Sequence, residues 1–212
     1  MKTIFSLALA AALACTTPGA WAQDNVVKVG ATYYQPHSRT NGISGIGVPA
    51  GADAEVGNAT TVIFVYERLV TRDLGLEFVL GVPPHIKAKA TGTVAFLGND
   101  VLSARNVAPT LFLVYHFLPA DVPLRPYVGA GVNYTRFADV KSSLAPDVKM
   151  SSSTGLALQA GLNYAINKDW GLFASIAKIN VKSKVVAIGP TVLTTTVDFR
   201  PLVYSAGVSY QF

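Results

Sequence analysis

The sequence of 212 residues has one cysteine, few charged residues and no long apolar run beyond its N-terminus. Lys, Arg, Asp and Glu together make up 14% of the chain, whereas an ordinary soluble domain has about 25%. After residue 14 no stretch approaches the ~18 consecutive apolar residues that a membrane-spanning helix needs. Half of the residues are nevertheless hydrophobic. Since only helices and closed barrels satisfy every backbone group in lipid, a membrane β-barrel is favoured over the alternative, a soluble β-sandwich.

The N-terminus has the three parts of a secretory signal peptide. Lys2 supplies the positive charge, residues 4–14 form the apolar segment, and Ala20-Trp21-Ala22 is a small-x-small cleavage site. We therefore expect residues 1–22 to be a cleavable signal peptide and residues 23–212 to form the mature barrel. Cys15 raises the alternative of a lipoprotein, but the usual leucine three residues before such a cysteine is missing. Cleavage after residue 22 removes this cysteine, so no disulfide or cysteine-based metal site is predicted.

Eight segments of about ten residues alternate apolar and polar positions, the pattern of barrel strands. Short connections at 71–74, 118–124 and 167–169 alternate with long ones at 37–59, 85–106, 138–153 and 183–197. Outer-membrane barrels have short periplasmic turns and long extracellular loops, whereas a soluble sandwich has no reason for this alternation. The sequence thus predicts an all-β protein, an eight-stranded antiparallel transmembrane β-barrel of the Gram-negative outer membrane. Its strands are expected at 26–36, 60–70, 75–84, 107–117, 125–137, 154–166, 170–182 and 198–212.

The alternation also predicts which side chains contact lipid. In the fifth strand Val128, Val132 and Tyr134 point outward, and Gly129 and Asn133 point into the barrel. Tyrosines near the predicted strand ends are expected to form an aromatic girdle: Tyr33, Tyr66, Tyr115, Tyr134, Tyr164 and Tyr210. The seventh strand fits both orientations, with either Phe173, Ser175, Ala177 and Ile179 or Leu172, Ala174, Ile176 and Lys178 facing inward.

The fifth strand, Arg125 to Thr135 with the letters RPYVGAGVNYT, resembles the signature of the outer membrane protein W (OmpW) family. Further matching blocks follow in the same order: residues 74–77, 83–85, 90–92, 108–111, 166–170 and 205–212. The resemblance implies an eight-stranded barrel, and for some members uptake of small hydrophobic molecules, alkanes included. It also implies that the C-terminal Phe212 is recognised by the barrel-assembly machinery. The loops and several lumen positions depart from the family pattern, so the resemblance does not identify the solute.

A carboxylate facing lipid costs free energy on the order of kcal/mol, so Glu67 and Glu77 are expected to face inward, and His116 likewise. This orientation places an apolar set of side chains in the upper lumen: Ile63, Val65, Val79, Phe112 and Val114. Below it, Glu67, Glu77 and His116 are expected beside Lys28 as a polar cluster on the lumen floor. Two interpretations fit: the packed core of a narrow barrel, or an apolar funnel above a polar plug that admits hydrophobic solutes.

A solute held above such a plug has to leave through the barrel wall. Pro83 and Pro84 end the third predicted strand and Pro109 begins the fourth, at the same level of the barrel. Because proline donates no backbone hydrogen bond, these residues are candidates for a lateral opening, as the family resemblance also implies. They equally fit simple strand termination. The second long connection offers candidates for a hydrophobic mouth: Ile86, Val94, Phe96 and Leu97. The glycine-rich first connection fits a part of this mouth and equally fits a mobile loop.

Catalysis is not predicted, because no serine, histidine and carboxylate come together and no metal-ligand spacing, phosphate-binding loop or G-x-S-x-G motif occurs. No cofactor and no nucleic-acid partner are expected. The sequence instead predicts a passive outer-membrane channel for small hydrophobic molecules, with entry at the extracellular mouth and lateral release into the membrane. The expected surroundings are the lipid bilayer and lipopolysaccharide. The alternative is a structural, adhesive or stress-related barrel without transport.

Overall fold

A computed structural model describes residues 25–37, 39–40, 42–45, 47–143, 147–188 and 192–212. The predicted signal peptide, with Cys15 and its cleavage site, lies outside these residues. The one helix found in them is a single 3-10 turn, Ala95–Leu97. No helix in the described ranges is long and apolar enough to cross a membrane.

Eight antiparallel strands close into a barrel, which confirms the predicted fold class. Numbered in chain order together with the strands of the next paragraph, the barrel strands are the following: β1 Asn25–Gln35, β4 Ala59–Leu69, β5 Leu74–Gly81, β8 Thr110–His116, β9 Leu124–Ser142, β11 Ser153–Ala165, β12 Trp170–Ile179 and β15 Leu202–Gln211. Each pairs with the next in this order, and β15 pairs with β1. Their bounds agree with the predicted strands to within a few residues, except that β9 extends past its predicted end and β15 starts late.

The long connections were predicted to be loops, and this was wrong. Their described residues include seven further strands: β2 Arg39–Thr40, β3 Ala52–Val56, β6 His85–Gly92, β7 Leu102–Val107, β10 Asp147–Met150, β13 Val181–Ile188 and β14 Val192–Phe199. The β6–β7 hairpin continues above β5 and β8, and β7 pairs with the upper part of β9. The β13–β14 hairpin continues above β12 and β15. The wall of the barrel therefore extends well beyond the predicted membrane strands.

The alternation of exposure along the barrel strands agrees with the predicted lipid-facing surface. In β9, Val128, Val132 and Tyr134 are exposed while Tyr127 and Asn133 are buried. The six tyrosines predicted to form the girdle are all exposed; five lie within three residues of a strand end, whereas Tyr134 lies mid-strand because β9 is longer than predicted. The structure also decides the orientation of the seventh barrel strand, β12. Phe173, Ser175, Ala177 and Ile179 point inward, and Leu172, Ala174, Ile176 and Lys178 point outward.

The interior is narrow enough that glycine decides where a large side chain fits. Tyr127 is buried and lies against Gly161 of the neighbouring strand β11. A Cβ atom at Gly161 would be 2.5 Å from the Tyr127 ring, closer than any ordinary contact. The missing side chain therefore makes the room in which Tyr127 crosses the lumen. An eight-stranded barrel of this kind is filled by its own side chains rather than by a water column.

Candidate functional site

Four charged or ionisable side chains meet inside the lower barrel, and we call them the charged floor: Lys28, Glu67, Glu77 and His116. Lys28 Nζ lies 2.9 Å from Glu67 Oε2 and 2.8 Å from Glu77 Oε2. The second oxygen of Glu67 is 2.6 Å from His116 Nε2. All four side chains are almost completely buried, Lys28 with 1% of its surface exposed. The structure thus brings together the residues that the sequence placed on the lumen floor.

Two further side chains complete the floor. Gln159 Nε2 donates to Glu77 Oε1 over 2.8 Å, so each of the four carboxylate oxygens has a hydrogen-bond or ion-pair partner. The ring of Tyr127 lies with its centroid 5.0 Å from Lys28 Nζ. A buried ion pair is stable only when its remaining polar atoms are satisfied, and here they largely are. No group of three or more His, Cys, Asp or Glu side chains in the described ranges is arranged to hold a metal ion.

Directly above the charged floor the lumen is apolar and tightly filled. A cavity of about 60 Å³ lies there, bounded by Ile63, Val65, Val79 and Phe112 from the predicted solute path. Val114, the fifth predicted residue, is fully buried and packs with Phe112 and Tyr127. Phe173 closes the opposite side. The predicted side chains therefore share one apolar compartment, which is too small for a continuous water channel.

A larger apolar cavity lies higher, inside the wall formed by the additional strands, and we call it the upper chamber. Its volume is about 100 Å³. Its lining is mainly aliphatic and comes from all four long connections: Ile43, Ala54, Val56, Ile86, Ala88, Val101, Leu102, Ala104, Val148, Met150, Val185, Ala187, Val197 and Phe199 among others. An apolar cavity of this kind favours an apolar occupant over water.

The rings of Phe137 and Phe199 lie at the lower end of the upper chamber, with centroids 5.6 Å apart. Both are buried in the same apolar cluster as Ile86, Ala104 and Val197. Ile179 packs against this cluster and also lines the smaller cavity below. A layer of buried side chains that includes Ile179 therefore lies between the two cavities.

The wall between β5 and β8 is interrupted at the level of this layer. The β5–β8 ladder ends at the pair Val79 and Thr110, and the β6–β7 ladder begins at His85 and Arg105. Between them lie residues 80–84 on one side and 106–109 on the other, and we call this interval the seam. Within the described chain one backbone hydrogen bond crosses it, from Asn106 N–H to the Pro84 carbonyl, at 3.1 Å. The predicted prolines, Pro83, Pro84 and Pro109, all lie in the seam.

Asn133 holds the β8 side of the seam, a contact that the sequence analysis missed. Its side-chain nitrogen donates to Thr110 Oγ1 over 2.8 Å and lies 3.3 and 3.4 Å from the Ala108 and Pro109 carbonyls. Thr135 Oγ1 donates in turn to Asn133 Oδ1 over 2.7 Å. Asn133 is fully buried. The Pro109 carbonyl also accepts from Tyr134 N–H and the Ala108 carbonyl from Thr110 Oγ1, so Asn133 ties the start of β8 to β9 through a buried hydrogen-bond network.

The residues predicted to form a hydrophobic mouth do not all line the upper chamber. Ile86 lines the upper chamber, but Val94 packs in a separate cluster with Ala52, Ala90 and Val101. Phe96 and Leu97 are on the surface, Phe96 with 80% of its area exposed. Phe96 and Leu97 therefore do not line the upper chamber, because the 3-10 turn that carries them lies at the tip of the β6–β7 hairpin, and their place at a hydrophobic mouth stays a prediction.

Below the charged floor a wider polar cavity of about 380 Å³ opens toward the short turns. Arg125 lies at its edge and ties two turns together: its Nε donates to the Leu118 carbonyl over 2.6 Å and its Nη2 to the Arg72 carbonyl. His116 and Asn163 also line this cavity. The floor thus separates a polar lower opening from an apolar upper lumen.

Comparison with known proteins agrees with this architecture. Residues 22–212 match the model of the OmpW family. The dibenzothiophene metabolism operon protein PahQ of Pseudomonas aeruginosa is 31% identical over 80% of this chain and 79% of its own. The outer membrane protein AlkL of Ectopseudomonas oleovorans is 28% identical over 79% of this chain and 73% of its own.

Among solved structures, that of the outer membrane protein OprG from Pseudomonas aeruginosa superimposes with a TM-score of 0.84. The alignment covers 90% of this chain and 96% of that one at 24% identity, and it therefore supports the fold. AlkL and OprG are outer-membrane barrel proteins, not members of enzyme families. With a family match over nearly the whole chain and a closed barrel of eight strands, the protein belongs to the OmpW family and is an outer-membrane β-barrel of a Gram-negative bacterium.

Proposed function

We propose that the protein is a passive channel for small hydrophobic molecules, which enter at the extracellular mouth and leave sideways into the membrane through the seam. The observation that carries this proposal is the position of the seam beside the lower end of the upper chamber. Val79 and Thr110, the last pair below the seam, line the lower cavity. Ile86 and Ala104, just above it, line the upper chamber.

The two cavities and the floor support a sideways route over a vertical one. An apolar solute gains free energy by leaving water for the aliphatic lining of the upper chamber. Its descent ends at the charged floor, where displacing the partners of Lys28, Glu67 or Glu77 would leave a buried charge unpaired. At the seam a single backbone hydrogen bond has to open. Passage is downhill into the bilayer and needs no energy coupling.

The name of one relative supports a hydrophobic solute. PahQ is named for an operon of dibenzothiophene metabolism, and dibenzothiophene is an apolar aromatic compound. The chamber lining in this chain is mainly aliphatic, with Phe199 as its aromatic member. We therefore propose apolar molecules as the class of solute, and no enzymatic activity.

Three finer features belong to the same proposal. Residues 1–22 are the signal peptide that directs export. The outer surface contacts lipopolysaccharide as well as phospholipid. Phe212 is the element that the barrel-assembly machinery recognises. Its exposed ring stacks on Tyr210 on the outer face, with centroids 6.0 Å apart, and its backbone pairs with Asn25.

The test is uptake of hydrophobic compounds by cells that lack other channels for them, with all variants at matched expression. Pro84→Ala introduces a backbone donor at the residue whose carbonyl accepts from Asn106 N–H across the seam, and we expect slower uptake because the β6–β7 ladder can then extend into the seam. Val79→Arg places a charged side chain between the lower cavity and the seam, and uptake should fall to the level of cells with an empty vector. Pro119→Ala, in a short turn at the opposite end, is the matched control and should leave uptake unchanged.

Wild-type cells that take up no alkane, aromatic or terpene faster than empty-vector cells would contradict the channel. In that case the alternative, a structural or adhesive barrel, is the better description. Slow uptake by the Pro119→Ala variant as well would show that the loss reflects folding rather than the seam.

A further inference from the structure

A row of lysines runs up the outer surface of the barrel, and we call it the lysine ladder: Lys178, Lys182 and Lys184. β12 and β13 are separated by a single residue, Asn180, and exposure alternates without a break through both strands. Lys178, Asn180, Lys182 and Lys184 are exposed, whereas Val181 and Ser183 between them are buried. All three lysines therefore point away from the lumen on one face of the wall.

The ladder begins where the apolar belt ends. Leu172 and Ile176 precede Lys178 on the same outward face of β12 and are exposed. Leu158, the cross-strand neighbour of Lys178 on β11, is exposed as well. Lysine stems cover apolar surface while their ammonium groups reach the polar layer. The Lys178 ammonium thus lies at the boundary between hydrocarbon and head groups, and Lys182 and Lys184 follow above it on the side of the long connections.

These lysines have no ion-pair partner within 4.0 Å among the described residues. The nearest acidic neighbour by register is Asp198, opposite Lys182, and its Oδ2 lies 2.7 Å from Arg200. On the adjoining strand Lys149 lies 3.7 Å from Asp147. Counting these residues, the outer face of β12, β13 and the adjoining strands carries five basic and two acidic groups.

The opposite side of the wall is different. Lys87 pairs with Asp100 at 2.7 Å, Lys89 with Glu55 at 3.0 Å, and Arg105 with Asp139 at 3.3 Å. These pairs lie on the hairpin above β5 and β8, beside the seam. Around the ring of eight strands β12 is four strands from β5 in either direction. The uncompensated positive charge therefore lies diametrically opposite the seam.

From this charge pattern we infer that the lysine ladder is a binding site for the phosphate groups of lipopolysaccharide in the outer leaflet. Lipopolysaccharide is the anionic lipid of that leaflet, and its phosphates lie at the level where the ladder begins. Basic side chains at a membrane surface attract anionic head groups, and each contributes separately. The inference concerns the outer surface and does not depend on whether solutes pass through the lumen.

The test is equilibrium binding of fluorescent lipopolysaccharide to the purified full barrel in detergent. Each lysine replaced by glutamine should weaken binding about fivefold, and the triple variant Lys178→Gln, Lys182→Gln, Lys184→Gln roughly one-hundredfold. The corresponding triple arginine variant keeps the charge and should bind like wild type. A double variant, Lys87→Gln with Lys89→Gln, is the matched control and should also bind like wild type. Mg²⁺ should compete, because it binds the same phosphates.

Two further ligands separate the possible sources of binding. Lipopolysaccharide without its phosphates should bind the wild-type barrel as weakly as intact lipopolysaccharide binds the triple glutamine variant. Phosphatidylglycerol should bind more weakly than lipopolysaccharide. The inference is overturned if the triple glutamine variant binds as well as wild type, if removal of the phosphates has no effect, or if phosphatidylglycerol binds equally tightly. Heat-dependent gel mobility checks that each variant is folded, and loss of binding by a folded triple arginine variant would also overturn it.

Discussion

The lower barrel differs in its filling from the extension, the part of the wall formed by β3, β6, β7, β10, β13 and β14. In the lower barrel, buried charges are matched to one another around Lys28, and large side chains such as Tyr127 cross the lumen. In the extension, aliphatic side chains from four connections surround a cavity, with Phe137 and Phe199 at its base. Polar networks hold their members in one arrangement, whereas an apolar cavity accepts occupants of many shapes. The side-chain network of the lower barrel therefore holds it closed, whereas the cavity of the extension has room for an apolar molecule.

The largest effect is expected from breaking the charged floor. Lys28→Met removes the ammonium that Glu67 and Glu77 share, and two buried carboxylates lose their partner. We expect a loss of about 3–5 kcal/mol in the free energy of unfolding. Urea titration of the barrel in lipid vesicles, followed by gel mobility, measures it.

Lys87→Met is the matched control, because that lysine is paired with Asp100 but exposed. An exposed pair contributes about 0–1 kcal/mol, so the control should lie close to wild type. Equal losses for the two variants would mean that burial of the floor has no energetic consequence.

A smaller effect is expected from the base of the upper chamber. Phe199→Ala removes a buried ring from the apolar cluster of the extension. Truncation of a buried phenylalanine costs about 3–5 kcal/mol in well-packed cores. We expect a loss of about 3 kcal/mol, the low end of this range, because the Phe199 ring already faces the cavity of the upper chamber. The same urea titration measures this loss. Phe96→Ala changes a ring with 80% of its area exposed and should alter stability by less than about 0.5 kcal/mol. A loss of several kcal/mol for Phe96→Ala would instead place that ring in the core.

The smallest effect is expected at the seam. Asn133→Ala leaves the buried hydroxyls of Thr110 and Thr135 without the amide that bonds to both, at a cost of about 1–2 kcal/mol. We expect faster hydrogen exchange of the Asn106 and Tyr134 amides, which bond across and beside the seam. Asn58→Ala, at an exposed position, serves as the control. Unchanged exchange in the Asn133 variant would show that the seam is held by its backbone alone.

The eight barrel strands and their lipid-facing sides could be predicted from the sequence, since a period of two and the cost of a charge in lipid act locally. The same cost oriented Glu67 and Glu77, and through them the charged floor. The bond between Gln159 and Glu77 could not be predicted, because it depends on the register of strands that are distant in sequence. Asn133 was expected inside the barrel, but its contacts at the start of β8 depend on that register as well.

The strands of the extension were missed although the sequence contains a signal for them. Ile86, Ala88 and Ala90 alternate with exposed residues in β6, and Val181, Ser183 and Val185 do so in β13. These runs are shorter than a membrane strand and carry lysines on the outer face, so they resembled polar loops. The upper chamber could not be predicted at all, because four connections must come together before the cavity exists.

The length of β9 has a consequence for the height of the molecule. At about 3.3 Å per residue its 19 residues extend roughly 60 Å, and a tilt of about 40° leaves on the order of 45 Å along the membrane normal. The apolar band of such barrels is about 25 Å tall, so the wall rises some 20 Å into the saccharide layer outside it. On the proposed function, a solute loses its water shell among the sugars, before it reaches the bilayer. The solute would then cross the hydrated saccharide layer inside the protein, and it would reach the hydrocarbon without its water shell.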